Sequence, residues 1–159
     1  MTGKNIAKLV ASIIGCEAAG GIGSIFTTSA IPTWYATLQK PSFTPPNYVF
    51  APVWLTLYLL MGISVFLVWR KGLAERGVKT ALTVFLVQLI LNILWSVIFF
   101  GLKSPLGGVI IIVLLWIAIL ITIIRFFRIS PAAGGLLIPY IIWVSIAANL
   151  NVGIWTLNP

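Results

Sequence analysis

Five long apolar runs constrain this chain more than any other feature of its sequence. The runs cover approximately residues 9–28, 48–69, 80–102, 105–124 and 131–155, and Glu17 is the only charged residue inside them. A helix of about 20 apolar residues is long enough to cross the hydrocarbon core of a bilayer. The pattern therefore predicts an all-α integral membrane protein, a single domain over residues 1–159 built as a bundle of five transmembrane helices.

Composition excludes the soluble alternative. The chain is 60% hydrophobic and 8% charged, whereas soluble globular proteins carry about 25% charged residues. A secretory signal peptide is a second interpretation of the first run, with Lys4 and Lys8 as its basic region. That run is longer than the apolar region of a signal peptide, so we expect a retained helix.

The net charge of +8 arises from ten Lys and Arg residues against only Glu17 and Glu75. Nucleic-acid binding is one interpretation of such a charge, but these basic residues are scattered over short connections. Eight of them lie at the N-terminus and in the second and fourth connections, and only Lys40 and Lys103 lie on the other side. Basic residues accumulate on the cytoplasmic side of membrane proteins. We therefore predict a cytoplasmic N-terminus, an extracytoplasmic first loop and no nucleic-acid partner, most simply in a bacterial cell membrane.

Conventional catalytic groups are scarce. The chain has one cysteine, Cys16, and no histidine, which excludes an intrachain disulfide and the common metal-binding motifs. The sequence also shows no pair of residues that could act as general acid and base, or as nucleophile and base. We expect no metal site, no required cofactor and no conventional catalytic residues.

The stretch from Trp34 to Tyr58 differs from the rest of the chain. It holds seven aromatic side chains and four of the nine prolines within 25 residues. Its first part is a connection of about nineteen residues, Ser29 to Asn47, and loops longer than about 12–15 residues are usually functional or disordered. The prolines stiffen the chain by fixing φ. The stretch is therefore predicted to form an ordered aromatic, proline-rich loop that covers a site.

Three of the predicted helices carry aromatic or amide residues at helical spacing, which places them on one face. These residues are Phe50, Trp54 and Tyr58 in the second segment, Gln88, Asn92, Trp95 or Ser96 and Phe99 in the third, and Tyr140, Trp143, Ala147 and Leu150 or Asn151 in the fifth. Such stripes often mean core packing. Buried amides require hydrogen-bond partners, so Gln88 and Asn92 either bond to neighbouring helices or point into a cavity.

The first segment has two features of its own. Gly15, Ala19 and Gly23 recur every four residues, a pattern that lets helices approach closely, either within the bundle or at a dimer seam. Glu17 is costly at this depth, by about 2.5–3.5 kcal/mol on the insertion scale. We expect a protonated carboxyl or one paired with a neighbouring polar group, in a structural role.

Three blocks of the sequence resemble the translocator protein family, also called tryptophan-rich sensory proteins or peripheral-type benzodiazepine receptors. The blocks are WYATLQKPSFTPPNYVFAPVWLTLYLLMG, LNILWSVIFFGLKSP and IPYIIWVSIAANLN. The resemblance implies a five-helix bundle, commonly a homodimer, that binds porphyrins such as protoporphyrin IX, haem-type tetrapyrroles, sterols and isoquinoline or benzodiazepine drugs. It implies a pocket between the helices under the first loop. Matching positions identify these candidate ligand-binding residues: Trp34, Tyr35, Phe43, Pro45, Trp54, Tyr58, Asn92, Trp95, Trp143, Ala147 and Leu150, to which the helical faces add Phe50 and Gln88.

The chain departs from the family pattern at three places. Phe43 stands where tryptophan is usual, Val97 where proline is frequent, and the C-terminal sterol-recognition pattern is absent. Because histidine, the usual axial ligand of haem, is missing, we expect tetrapyrrole binding by stacking. The predicted function is a membrane receptor or sensor for tetrapyrroles and membrane lipids, with light-dependent porphyrin degradation as an open extension. The alternatives are a porphyrin or lipid transporter and a structural assembly factor.

Overall fold

The computed structural model describes all residues 1–159 and is almost entirely helical. Its helices are α1 (Gly3–Ala30), α2 (Asn47–Trp69), α3 (Val78–Ser96), α4 (Pro105–Ile129), α5 (Pro131–Leu136) and α6 (Ile138–Leu157). A π-helical turn, Val97–Gly101, continues α3, and α5 and α6 are two parts of one span. Five spans are long and apolar enough to cross a membrane, which confirms the predicted fold class.

Two helices extend beyond the apolar runs that predict them. The α1 helix begins at Gly3 rather than near residue 9, and α4 continues to Ile129 rather than ending near residue 124. The added turns contain lysines or arginines. A long basic side chain can reach the polar interface while its backbone stays helical. The end of an apolar run therefore marks where polar surroundings begin, and the helix itself ends further on.

The helices form a ring. The α1 helix packs against α2 and α3, and α4 packs against α3, α5 and α6, while α2 contacts α5 and closes the ring. The α4 helix has almost no polar residues and exposes one apolar face. Its other face is buried in the bundle, through Ile112, Leu115, Ile119, Thr122, Ile123 and Phe126.

We call the part of the bundle next to residues 31–46 the loop half, and the part next to the start of α1 the far half. In the far half, the ammonium of Lys8 lies 5.4 Å from the ring centroid of Trp69, so the start of α1 meets the end of α2. Phe85 and Phe126 stack there with centroids 5.8 Å apart. Gly62 lets α2 approach the backbone of α1, because an added Cβ would lie 2.7 Å from the Cα of Ile13.

Residues 31–46 cross the end of the loop half and contact two different helices. Trp34 packs edge-on against Phe99, and Tyr35 packs against Phe100, at centroid distances of 5.5 and 5.8 Å. At the other side, Asn158 accepts a hydrogen bond from the Gln39 N–H at 3.0 Å and donates one to the Gln39 carbonyl at 2.8 Å. The loop is thus attached both to the π-helical turn and to the end of α6.

Candidate functional site: a cavity in the loop half

The principal cavity lies between α1, α2, α3 and α6, beneath the loop residue Tyr35. Its volume is about 340 Å³, within the usual range of about 300–1,000 Å³ for small-molecule sites. Most of its surface is apolar. The lining residues are Glu17, Gly20, Gly21, Gly23, Ser24, Thr27, Thr28, Ile31, Tyr35, Asn47, Phe50, Ala51, Trp54, Leu55, Tyr58, Asn92, Trp95, Ser96, Phe100, Trp143 and Ala147.

Aromatic rings make up most of the cavity wall on the α2 and α6 sides. Trp54 stacks on Tyr58 with ring centroids 5.7 Å apart and planes inclined by 29°. Phe50 meets Trp143 edge-on at 5.7 Å. Phe50, Trp54 and Tyr58 lie on α2 at four-residue spacing, so the helix itself brings their rings into one row. Ala147 leaves space beside Trp143, because it follows one helical turn later on α6.

Buried hydrogen bonds fix the base of the cavity. The Tyr58 hydroxyl donates to Asn92 Oδ1, the Asn92 Nδ2 donates to the Tyr140 hydroxyl, and Tyr140 in turn donates to Gln88 Oε1, each at 2.7 Å. This hydroxyl–amide network joins α2, α3 and α6. The sequence left two alternatives open for the buried amides. Asn92 both hydrogen-bonds to neighbouring helices and lines the cavity, whereas Gln88 makes hydrogen bonds but does not line the cavity.

A second buried amide orients Trp95. Its indole Nε1–H donates to Asn151 Oδ1 at 2.9 Å, and Asn151 Nδ2 donates to the Pro105 carbonyl at 2.9 Å. Trp95 is 9% exposed and Asn151 1% exposed. Because the ring is held by both packing and a hydrogen bond, the α3 wall of the cavity is already formed without a ligand.

The indole nitrogen of Trp143 differs from that of Trp95, which is hydrogen-bonded. Its Nε1 is buried and has no hydrogen-bond partner, and its indole borders the cavity. Leaving a buried donor unpaired costs about 1–3 kcal/mol. A ligand acceptor placed against this N–H would remove that cost. The indole N–H of Trp143 is therefore an unpaired donor in the wall of the site.

Small residues on α1 create the remaining wall. Gly20 lies flat against the Tyr58 ring, since an added Cβ would be 2.5 Å from Cε2 of that ring. Gly23 similarly faces Ser96, at 3.1 Å from its Oγ. Toward the loop the cavity is open at the side between α1 and α2, because several lining residues are also exposed on the outer surface: Gly21, Ser24, Thr28, Ala51 and Leu55.

One basic residue contacts the lining residue Tyr35 at the loop end of the cavity. The Lys40 ammonium lies 4.5 Å from the Tyr35 ring centroid and donates to the Leu38 carbonyl at 3.2 Å. Burial raises the pKa of Tyr35 above its ordinary value, which keeps its hydroxyl protonated. The loop end of the cavity is therefore lined by a neutral phenol that has a cation against its ring.

The structure brings most of the predicted site residues together. The cavity is lined by Tyr35, Phe50, Trp54, Tyr58, Asn92, Trp95, Trp143 and Ala147. The other five predicted residues lie elsewhere. Trp34 packs on Phe99, Phe43 is 57% exposed on the loop, and Pro45 is also outside the lining. Gln88 lies behind Tyr140, and Leu150 lines a small adjoining void of about 30 Å³.

Sequence reasoning missed the α1 wall and Phe100 of the third span. The α1 wall consists of small or weakly polar residues, which carry no aromatic or amide pattern. In the third span, helical spacing predicted Phe99. The π-helical turn over Val97–Gly101 changes the register, so Phe100 lines the principal cavity while Phe99 stacks on Trp95 at 5.5 Å. Single π-helical turns are frequent at functional sites.

Comparison with known proteins gives a consistent assignment. The TspO/MBR family matches residues 12–156. The tryptophan-rich protein TspO of Chlorobaculum tepidum is 44% identical over 156 residues, which cover 98% of this chain and 99% of the relative. The protein CrtK of Rhodobacter capsulatus is 40% identical over 92% of this chain and 89% of its own length. The translocator protein of Homo sapiens is 42% identical over 60% of this chain and 54% of its own length. The chain therefore belongs to the TspO/MBR family, and its role is that of a multi-pass integral membrane receptor, sensor or transporter.

Proposed function

We propose that the cavity in the loop half binds protoporphyrin IX and related tetrapyrroles, and that the protein acts as their membrane receptor or sensor. The aromatic wall carries this proposal. Flat conjugated ligands gain stabilisation by stacking on aromatic rings, and Trp54, Phe50 and Trp143 present such rings from two helices. A mostly apolar cavity with a few polar groups is the usual form of a small-molecule site.

Polar groups suggest how a tetrapyrrole would be oriented. The Nε1–H of Trp143 is unpaired in the cavity wall, and Lys40 supplies a positive charge against the lining residue Tyr35. Carboxylates of the ligand would therefore lie toward Tyr35 and Lys40, with the ring among the aromatic side chains. The Asn92 amide is less available, since it already bonds to Tyr58 and Tyr140. Sterols and isoquinoline or benzodiazepine drugs would compete for the same apolar space.

Transport remains the second candidate within the family role. The hydroxyl–amide network forms the floor of the cavity, and buried side chains fill the far half beyond it, which supports a receptor or sensor. Uptake of protoporphyrin into proteoliposomes that depends on this protein would favour transport instead.

Protoporphyrin titration tests the proposal directly. The purified protein is titrated in darkness while tryptophan fluorescence is followed, and we expect saturable quenching, because several tryptophans border the site. Trp54→Ala should weaken binding about tenfold or more, a loss of about 1.4 kcal/mol, whereas Trp155→Ala, at the exposed end of α6, serves as the matched control. Absence of saturable quenching would contradict the proposal. Illumination of the complex in air then tests for porphyrin degradation, the enzymatic extension.

The orientation in the membrane follows from charge and stays a prediction, as do the homodimer and the bacterial cell membrane. We propose that residues 31–46 face away from the cytoplasm. A cysteine introduced at exposed Thr37 should react with a membrane-impermeant maleimide added outside intact cells. Cys16 is buried, so background labelling should be low. Labelling only after the membrane is permeabilised would reverse the orientation.

A further inference from the structure

Glu17 is the only acidic or basic residue that lines the cavity. It lies near the middle of α1, the helix Gly3–Ala30, and is partly buried. Its carboxyl makes no hydrogen bond and no ion pair with the rest of the chain. The pairing with a neighbouring polar group that the sequence suggested is therefore absent.

An unpaired carboxyl at this depth needs an explanation beyond packing. Ionisable residues within membrane spans are costly and usually mark a functional site. Among the other lining residues only two tyrosines, Tyr35 and Tyr58, are ionisable, so Glu17 has no second carboxyl, histidine or lysine in the lining with which to form a proton relay. Lys40, the basic residue nearest to the loop end of the cavity in sequence, already contacts Leu38 and Tyr35. The partner of Glu17 is thus to be sought among the ligands.

The surroundings of Glu17 suit a cation. Gly20 follows one helical turn later on the same face and lies against the Tyr58 ring, on which Trp54 stacks. Tryptophan and tyrosine faces attract ammonium groups through their quadrupoles, most strongly where water is excluded. A carboxylate beside such rings is a suitable combination for a protonated amine.

We propose that Glu17 makes this cavity a site for cationic amphiphiles, ligands that carry a protonated amine on an apolar aromatic body. The ammonium pairs with the Glu17 carboxylate at the base of the cavity, and the aromatic body occupies the space between α2 and α6. This inference rests on the proposed function only in using the same cavity. It adds a ligand class, and it assigns the determinant of that class to α1.

Two ligands of the same shape test the charge. 4-Phenylbenzylamine is protonated at neutral pH, and 4-phenylbenzyl alcohol is its uncharged counterpart. Their dissociation constants are measured by isothermal titration calorimetry in dodecyl maltoside at pH 7, with wild type, Glu17→Gln, Glu17→Asp and Glu75→Gln. Glu75 is the only other acidic residue of the chain and lies in the connection between α2 and α3. Comparing each ligand across variants cancels its partition into detergent.

We expect Glu17→Gln to weaken amine binding about tenfold, equivalent to about 1.4 kcal/mol, and to change alcohol binding less than twofold. Glu17→Asp should keep most of the preference for the amine, and Glu75→Gln should behave as wild type. The unfolding temperature of each variant checks that it is folded. The proposal is overturned if wild type does not bind the amine, if Glu17→Gln binds it unchanged, or if both ligands weaken equally.

The two proposals fail separately. If protoporphyrin does not quench tryptophan fluorescence but the amine binds through Glu17, the tetrapyrrole assignment fails and the cationic site stands. If protoporphyrin binds but Glu17→Gln leaves amine binding unchanged, or weakens the amine and the alcohol equally, the cationic site fails alone.

Discussion

The two halves of this bundle are made from equally apolar helices, yet one is closely packed and the other holds a cavity. In the far half, large side chains fill the interior: Met61, Val68, Phe85 and Phe126 are at most 2% exposed. In the loop half, the rings of Trp54 and Trp143 are opposed by glycines, serines and threonines of α1. Side-chain size on α1, more than hydropathy, decides which half can admit a ligand.

The boundary between the halves is polar. The network of Tyr58, Asn92, Tyr140 and Gln88 lies where the cavity ends and close packing begins. Groups of this kind need every partner satisfied, because unpaired polar atoms are expensive in an apolar interior. The network thus both joins three helices and defines the floor of the cavity. Substitutions on either side of this floor should have different effects.

The largest effect is expected from Asn92→Ala. Both tyrosine hydroxyls at the floor lose a partner, and each orphaned group costs about 1–3 kcal/mol. Because Tyr140 keeps its bond to Gln88, we expect a total loss of about 2–3 kcal/mol in the free energy of unfolding, measured by SDS titration. Asn149→Ala is the matched control. The Asn149 amide is exposed and donates only to the Ser145 carbonyl, so a change below about 0.5 kcal/mol is expected. Equal losses in the two variants would show that the floor is not a special point of stability.

An intermediate effect is expected from adding one methyl group to each half. In Gly62→Ala, the new Cβ would meet the backbone of Ile13 at 2.7 Å, so α1 and α2 must separate in the far half. Overpacking costs about 1–3 kcal/mol, offset by about 1 kcal/mol of helix propensity. We expect a lower unfolding temperature. In Gly21→Ala the Cβ meets nothing within 4 Å, and the propensity gain should leave stability unchanged or raised. A destabilised Gly21→Ala would mean that the loop half is also closely packed.

The sequence predicts the fold well because each membrane span depends only on consecutive residues. Each span is an uninterrupted apolar run, and lipid requires the backbone to satisfy its own hydrogen bonds as a helix. The aromatic part of the site is similarly accessible: Phe50, Trp54 and Tyr58 follow helical spacing and do line the cavity. Helix ends are predicted less well, because Lys8 and Arg125 end an apolar run without ending its helix.

The rest of the site depends on relations between helices, which spacing within one helix does not contain. Gln88 and Asn92 lie on one face, yet only Asn92 reaches the cavity, because Tyr140 of α6 accepts from one amide and donates to the other. Phe100 replaces the expected Phe99 because of the π-helical turn after Ser96. The α1 wall consists of small residues, so it is recognisable only from the cavity volume that these residues leave unfilled.

The smallest effect on stability is expected at Trp143. Its N–H has no partner in the free protein, so Trp143→Phe removes an unpaired donor and keeps an aromatic ring. Removal of the unpaired donor raises stability, and the smaller buried apolar area of phenylalanine lowers it. Because the two effects offset each other, we expect the free energy of unfolding to change by less than about 0.5 kcal/mol. Trp116→Phe is the matched control.

The Trp116 indole donates to Ser145 Oγ at 2.8 Å, and loss of this hydrogen bond should cost about 1 kcal/mol of stability. The two substitutions should affect ligand binding in the opposite order. Trp143→Phe should weaken protoporphyrin binding several-fold because the ligand loses a donor, while Trp116→Phe, outside the cavity lining, should bind as wild type. If Trp143→Phe is destabilised as much as Trp116→Phe and binds normally, its N–H already has a partner in the free protein. The loop half would then be as fully satisfied as the far half, and the difference between them would be one of volume alone.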